Sequence, residues 1–177
     1  MLRELHIHHL AVIEDARIEL TPGFNCFTGQ TGAGKSLILG AFEILLGLRQ
    51  ASAEMVRPGC SEARVSGVFE LRDPQTVAQI SQLIDQTLET GEELLITRKI
   101  FATGRSSISI NGQVATAGMV RAVSELLVDI HGQHDQQYLL KPSNQIELLD
   151  ALAKATELRE TFTGLHRQLS EMTRRRQ

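Results

Sequence analysis

The sequence has no tryptophan, a single tyrosine and six phenylalanines in 177 residues. Aromatic platforms for stacking single-stranded bases are therefore not expected. Cysteine is nearly as scarce, with only Cys26 and Cys60. Two thiols make neither a disulfide framework nor, by themselves, a zinc site, so both are expected to be reduced. No run of about 18 uncharged apolar residues occurs, so no membrane span is expected. A dominant charge is missing too, since 18 Lys+Arg against 21 Asp+Glu leave −3. Such a balance excludes a dedicated electrostatic binder of nucleic acid or membrane; contact of that kind would need a local patch or a partner. The N-terminal MLRELHIHHL alternates polar and apolar residues and carries Glu4, unlike a signal peptide. What remains is globular composition, 42% hydrophobic and 22% charged, in a chain long enough for one domain with a core. A soluble, cytoplasmic protein is the expectation.

The first half reads as strands. Leu5 and Ile7 alternate with polar neighbours, and Ala16, Ile18 and Leu20 alternate with Arg17 and Glu19. Pro22-Gly23 marks a turn, and Phe24–Thr28 is expected as a short apolar strand ending at Gly29. Ser36–Leu48 carries Glu43 as its only charge before Arg49, which predicts a core helix stopped by Gly47. A loop over 49–62 precedes a strand through Val65, Gly67, Phe69 and Leu71. A surface helix over 75–90 and strands at Leu94–Phe101 and Ser107–Ile110 follow, with Asn111-Gly112 as a hairpin turn. Residues 117–128 fit helix or strand equally.

From Leu148 onward the pattern changes. Leu148, Ala155, Phe162 and Leu169 fill one seam position, and Ala151, Leu158, Leu165 and Met172 the other. This is heptad spacing, the mark of a coiled coil, although an amphipathic helix packed on the domain gives the same pattern. It ends at Arg174-Arg175-Arg176-Gln177 without a capping signal, so the natural chain is expected to continue. The expected division is 1–145 and 146–177.

One motif carries chemistry. Gly29-Gln30-Thr31-Gly32-Ala33-Gly34-Lys35-Ser36 matches G-x-x-x-x-G-K-[ST] at every fixed position. Its glycines let backbone N–H groups converge on phosphate oxygens, and the following helix adds its positive end. Lys35 would contact the β- and γ-phosphates and Ser36 would ligate Mg²⁺, with Leu37 completing the cradle. An apolar strand before and an apolar helix after are the right context for nucleotide binding. The motif alone leaves the class of P-loop protein open.

Hydrolysis also needs an acid and a group that orients water. Asp129, after Leu126-Leu127-Val128, is a weak candidate because no second acid follows. Gln133 could ligate Mg²⁺ and hold water, or be an ordinary loop residue. His6, His8 and His9 on the first strand, with His131 and His134 around Gln133, are expected as surface histidines, since no acidic or cysteine ligand stands at zinc spacing. Arg98, Lys99 and Arg105 could touch phosphate, DNA or a partner, or form a solvated strand face. Arg174–Arg176 invite the same two readings.

The run PGFNCFTGQTGAGKS after an N-terminal strand pair resembles the head domain of the SMC-like ABC ATPases. LLGLRQASAEMVRPG, ITRKIFATGRSSISINGQVAT and LLVDIHGQHDQQYLL narrow the resemblance to the RecN family of bacterial DNA repair proteins. It covers about residues 1–150 and the start of an arm. The resemblance implies an α/β P-loop NTPase, the N-terminal part of an ABC-type head with an antiparallel β subdomain. It makes Gln133 the Q-loop glutamine and the heptad segment the root of a long antiparallel arm. It further implies ATP-dependent work on DNA in double-strand-break repair and recombination, near the nucleoid. The partners implied are DNA, the C-terminal half-head of the same chain, and a second head in a homodimer. One departure is that His8-His9-Leu10-Ala11-Val12 lacks the basic residue many such heads carry after the first strand. Neither an L-S-G-G signature nor an apolar strand ending in Asp-Glu occurs, so this stretch is expected to bind ATP without turning it over alone. Two other readings remain: a P-loop kinase with Arg98 and Arg105 as lid arginines, and a non-catalytic nucleotide-gated DNA tether.

Overall fold

The computed structural model describes residues 1–29, 34–128, 130, 145–146, 149–150, 152–153 and 155–176. The chain divides into two units, Met1–Asp129 and Ile130–Gln177. The first is built on a six-stranded sheet in the order β2-β1-β3-β4-β5-β6, with every pairing antiparallel.

The expected period-two strands form. β1 (Leu2–Leu10) and β2 (Ile13–Glu19) make a hairpin across Ala11-Val12. β3 (Glu62–Glu70), β4 (Glu93–Phe101), β5 (Ser106–Ile110) and β6 (Gln113–Ala115) follow. Asn111 and Gly112 both adopt positive φ, 49° and 80°, as a two-residue hairpin turn of the expected kind requires. Asn111 also clamps β4: its N–H donates to the Leu95 carbonyl at 2.8 Å, and its Oδ1 accepts from the Leu95 N–H at 2.9 Å.

One face of the sheet is apolar and buried, through Leu5, Ile7, Val65, Phe69, Leu94, Ile96 and Ile100. The other carries Glu4, His6, His8, Arg64, Ser66 and Thr97. Helix α1 (Lys35–Leu45) packs on β1, β3 and β4 through Ala41, Ile44 and Leu45. It ends two to three residues before the sequence suggests, and Gly47 is the stop. With Gly47 at φ 73°, its N–H donates to the Ile44 carbonyl at 3.2 Å and the Leu48 N–H to the Glu43 carbonyl at 2.9 Å. That is a Schellman motif, which a residue with a Cβ closes only under strain.

Helix α2 (Pro74–Ile84) starts at Asp73, whose carboxylate accepts from both the N–H and the hydroxyl of Thr76, each at 2.7 Å. It is shorter than 75–90 because Asp85 turns left-handed at φ 52°. The undecided stretch 117–128 is helix α3 (Ala117–Leu127), capped by the Thr116 hydroxyl accepting from the Met119 N–H at 3.2 Å. Its apolar face, Val120 and Val123, is buried, and α3 packs on α2 and β5.

The expected strand Phe24–Thr28 does not form. Among the described residues no ladder reaches it, and Phe24 is 91% exposed. Asn25 bonds locally instead: its Oδ1 accepts from the Thr21 N–H at 3.2 Å and its Nδ2 donates to the Thr21 carbonyl at 2.8 Å. A strand exists only through a neighbour, and apolar alternation alone supplies none.

In the second unit, helix α4 (Thr156–Arg176) carries the heptad segment. Leu158, Phe162, Leu165, Leu169 and Met172 are each more than 60% exposed. Leu148 and Ala151 lie outside the described residues.

Candidate functional site

The segment entering the glycine motif and the helix leaving it are both described, while Gln30, Thr31, Gly32 and Ala33 between them lie outside the described residues. Gly34 is the cap of α1 at φ 92°, ψ −5°. Among the described residues no neighbouring atom lies within 4 Å of the place where its Cβ would be, and its φ favours glycine. The Gly34 carbonyl accepts from the Leu37 and Ile38 N–H groups at 3.0 and 3.1 Å and so starts the helix. The earlier amides of the turn have no helical carbonyl to bond and point out of the helix end. No acidic side chain stands in that turn, so the positive end of the helix is not neutralised from within its own first turn.

Lys35 is the first residue of α1, and its Nζ donates to the Gly29 carbonyl. The ammonium thus ties Gly29 to the first turn of α1. Ser36 follows and is exposed, with its hydroxyl at the same helix end; Leu37 is half-buried. A divalent ion such as Mg²⁺ favours hard oxygen donors and keeps most of its water or phosphate ligands. One exposed hydroxyl beside an anion-attracting helix end fits that need.

Next to Lys35 a cavity of about 230 Å³ opens, lined by Leu5, Ile18, Phe27, Ile38, Phe42 and other apolar residues. Among the described residues that line it, Lys35 alone is charged. Such a lining does not suit a triphosphate. Phe27 and Leu39, about half exposed, leave the rim apolar.

Gln133, His131, His134 and Asp129 lie outside the described residues. Of the cluster Arg98, Lys99 and Arg105, only Arg98 departs from the solvated reading. Arg98 is 8% exposed and shares the core-facing side of β4 with Ile96 and Ile100. Its Nη2 donates to the Ser106 hydroxyl at 3.2 Å, and its Nε finds no partner among the described residues. Burial pulls its guanidinium below the usual value. The sequence hint was positional: 98 has the parity of 94, 96 and 100. A buried side chain cannot sweep over a substrate as a kinase lid, which removes that role for Arg98. Arg105 is exposed. Among the described residues, no helix is long and apolar enough to cross a membrane.

Comparison with known proteins agrees with this geometry. A family model described as an AAA domain matches residues 4–177. The DNA repair protein RecN of Bacillus subtilis (strain 168) is 38% identical over 156 residues, 88% of this chain and 27% of that protein. The Smc head domain with a coiled coil and joint from Pyrococcus yayanosii superposes with a TM-score of 0.65 at 18% identity, over 96% of this chain and 35% of that one. A structure described for ATP-driven dimerization and DNA-stimulated activation of SMC ATPases gives 0.61 at 20%, over 85% and 98%. Identities this low speak for the fold alone, the α/β P-loop fold of such heads. The chain spans 27–32% of the length of the first RecN relatives it matches. With a family match from residue 4 to residue 177, the chain belongs to the AAA domain family, and RecN proteins are among its sequence relatives.

Proposed function

We propose that this chain is the ATP-binding part of a RecN-type ATPase head that acts on DNA in double-strand-break repair and recombination. The observation that carries the reading is the junction at Gly34. A left-handed glycine opens a helix whose positive end is not neutralised from within its first turn, and Lys35 ties that turn to Gly29. Backbone amides of residues 29–37 hold the phosphates, and Lys35 sets its charge against the β- and γ-phosphates. Bound Mg²⁺ would neutralise developing phosphate charge, with Ser36 and Gln133 as its protein ligands. Gln133 would also orient the attacking water.

Turnover requires more than these residues supply. The missing groups, a signature sequence and an acidic strand end, belong to the C-terminal half-head of the same protein and to a second head. Two heads close on ATP and separate after hydrolysis, which changes the arm rooted at residues 146–177 and the grip on DNA. The apolar rim of Phe27 and Leu39 is where the C-terminal half packs. The protein works in the cytoplasm, at the nucleoid.

Calorimetry with ATP and Mg²⁺ tests the site. Lys35→Ala should weaken affinity by about 10- to 100-fold, the value of a charge-assisted hydrogen bond or two. Unchanged affinity would refute the assignment. The residue 1–177 piece should bind ATP without steady-state turnover, and Lys35-dependent hydrolysis by it alone would refute the need for the other half.

A further inference from the structure

The outer, polar face of the sheet holds a cluster that the nucleotide site does not use. His6 and His8 are two residues apart on β1, so their rings project from the same face. Asp15 on β2 is the direct cross-strand partner of His8. His6 Nε2 lies 2.6 Å from Asp15 Oδ1, and His8 Nδ1 lies 3.6 Å from the same oxygen. One ligand atom from each residue can be chosen so that all three fall within 4.8 Å of one another. Sequence spacing hides the carboxylate, because only the hairpin register brings Asp15 to the histidines.

We propose that His6, His8 and Asp15 form a binding site for a first-row divalent transition metal, with Zn²⁺ as the reference ion. Two imidazoles and a carboxylate are an established donor set for such ions. At zinc–ligand distances of about 2.0–2.1 Å, tetrahedral neighbours stand roughly 3.3 Å apart. The His8–Asp15 separation is already close to that. His6 needs to move outward slightly, because its present spacing is that of a hydrogen bond. All three side chains are between 35% and 60% exposed, which gives the ion a path in and the side chains freedom to adjust. The His9 ring lies against His8, centroids 3.7 Å apart, and limits how far that ligand swings. Remaining coordination positions are left to water.

The surrounding charges set the affinity. Arg17, the cross-strand partner of His6, is held by Glu4 at 2.7 Å, which offsets its repulsion of a cation. Arg64 on β3 pairs with His8 across the sheet and opposes binding. The result is a site of micromolar class that draws Zn²⁺, Co²⁺ or Ni²⁺ in preference to Mg²⁺, because imidazole nitrogen is a poor donor for Mg²⁺. Bound metal ties β2, the edge strand, to β1. It is a different ion at a different place from the one attending ATP.

Tag-free protein without nucleotide, titrated with ZnCl₂ in millimolar Mg²⁺, tests the site. The expected result is one saturable site per chain, lost at least tenfold in His8→Ala and in Asp15→Asn and kept in the control His166→Ala. Saturating Zn²⁺ should raise Tm by on the order of 5 °C at a hundredfold excess over Kd. Both exposed-residue variants should keep the parent far-ultraviolet circular dichroism, so loss of binding reports the site. Failure of the parent protein to bind below about 100 µM Zn²⁺ overturns the proposal, as does undiminished affinity in a His6→Ala/His8→Ala double variant.

Discussion

Leu45 Cδ2 on α1 stands 2.7 Å from the point where a Cβ on Gly67 of β3 would sit. Phe69 Cε2 and Leu2 Cδ1 stand at 3.1 and 3.5 Å from the same point. Leu45 and Phe69 are fully buried, so neither moves without displacing others. The helix that carries Lys35 is therefore seated on the sheet at a place with no room for a methyl group. Gly67→Ala should cost about 1–3 kcal/mol of stability, measured by urea unfolding. It should also weaken ATP binding by shifting α1, and a variant as stable as the parent would contradict this seating.

Gly34 offers the opposite case. Among the described residues space is open around it, and its φ of 92° favours glycine. Gly34→Ala should cost about 1–2 kcal/mol as backbone strain. The chain can relieve that strain by re-aiming the loop, so ATP affinity should fall more than stability. Calorimetry and urea unfolding on the same preparation separate the two effects.

Asp73 gives a pH dependence. Hydrogen bonds from Thr76, first its hydroxyl and then its N–H, hold the carboxyl below the usual carboxylate range. A depressed folded value means stability present above the unfolded value and lost as pH falls through the folded one. Stability should therefore decline on acidification below the ordinary carboxylate range, and Asp73→Asn should flatten that limb. A variant with the same acid limb as the parent would remove Asp73 from the account.

The sheet was largely legible because period two was clear in β1 and β2, and because Asn111-Gly112 signals a hairpin turn. The phosphate loop was legible as a motif; of its residues, Gly34 caps α1 at positive φ and Lys35 is the first residue of that helix. What escaped was tertiary. Phe24–Thr28 has strand composition and no strand pairing among the described residues. Residues 117–128 carried both periods, and burial of Val120 and Val123 on one side settled them as helix. Arg98 has the parity of the core, but charge argued for solvent. Asp15 joins His6 and His8 only through cross-strand register, which spacing along the chain does not display.

Arg98 has a direct test. Among the described residues its buried guanidinium has one hydroxyl partner and an unbonded Nε. Arg98→Met keeps the stem and removes the desolvated charge, so stability should be equal to the parent or on the order of 1 kcal/mol higher. Arg98→Ala also removes the stem and should be about 2 kcal/mol less stable than the Met variant. A Met variant much weaker than the parent would mean that the charge has an anionic partner beyond the described residues.

The seam of α4 gives the last prediction. Leu158, Leu165 and Met172 recur every seven residues, with Phe162 and Leu169 between them, and all are exposed. A lone helix of 21 residues is marginal in water, so an exposed stripe needs a partner to hold it. A peptide of residues 146–177 should thus be weakly helical when dilute and gain helicity with concentration as seams pair. Leu165→Gln places a polar group in the middle of the stripe and should abolish that gain. Circular dichroism from micromolar to millimolar peptide, with sedimentation equilibrium, reads both effects. Helicity independent of concentration would make α4 an ordinary amphipathic helix and remove the coiled-coil root from the proposed arm.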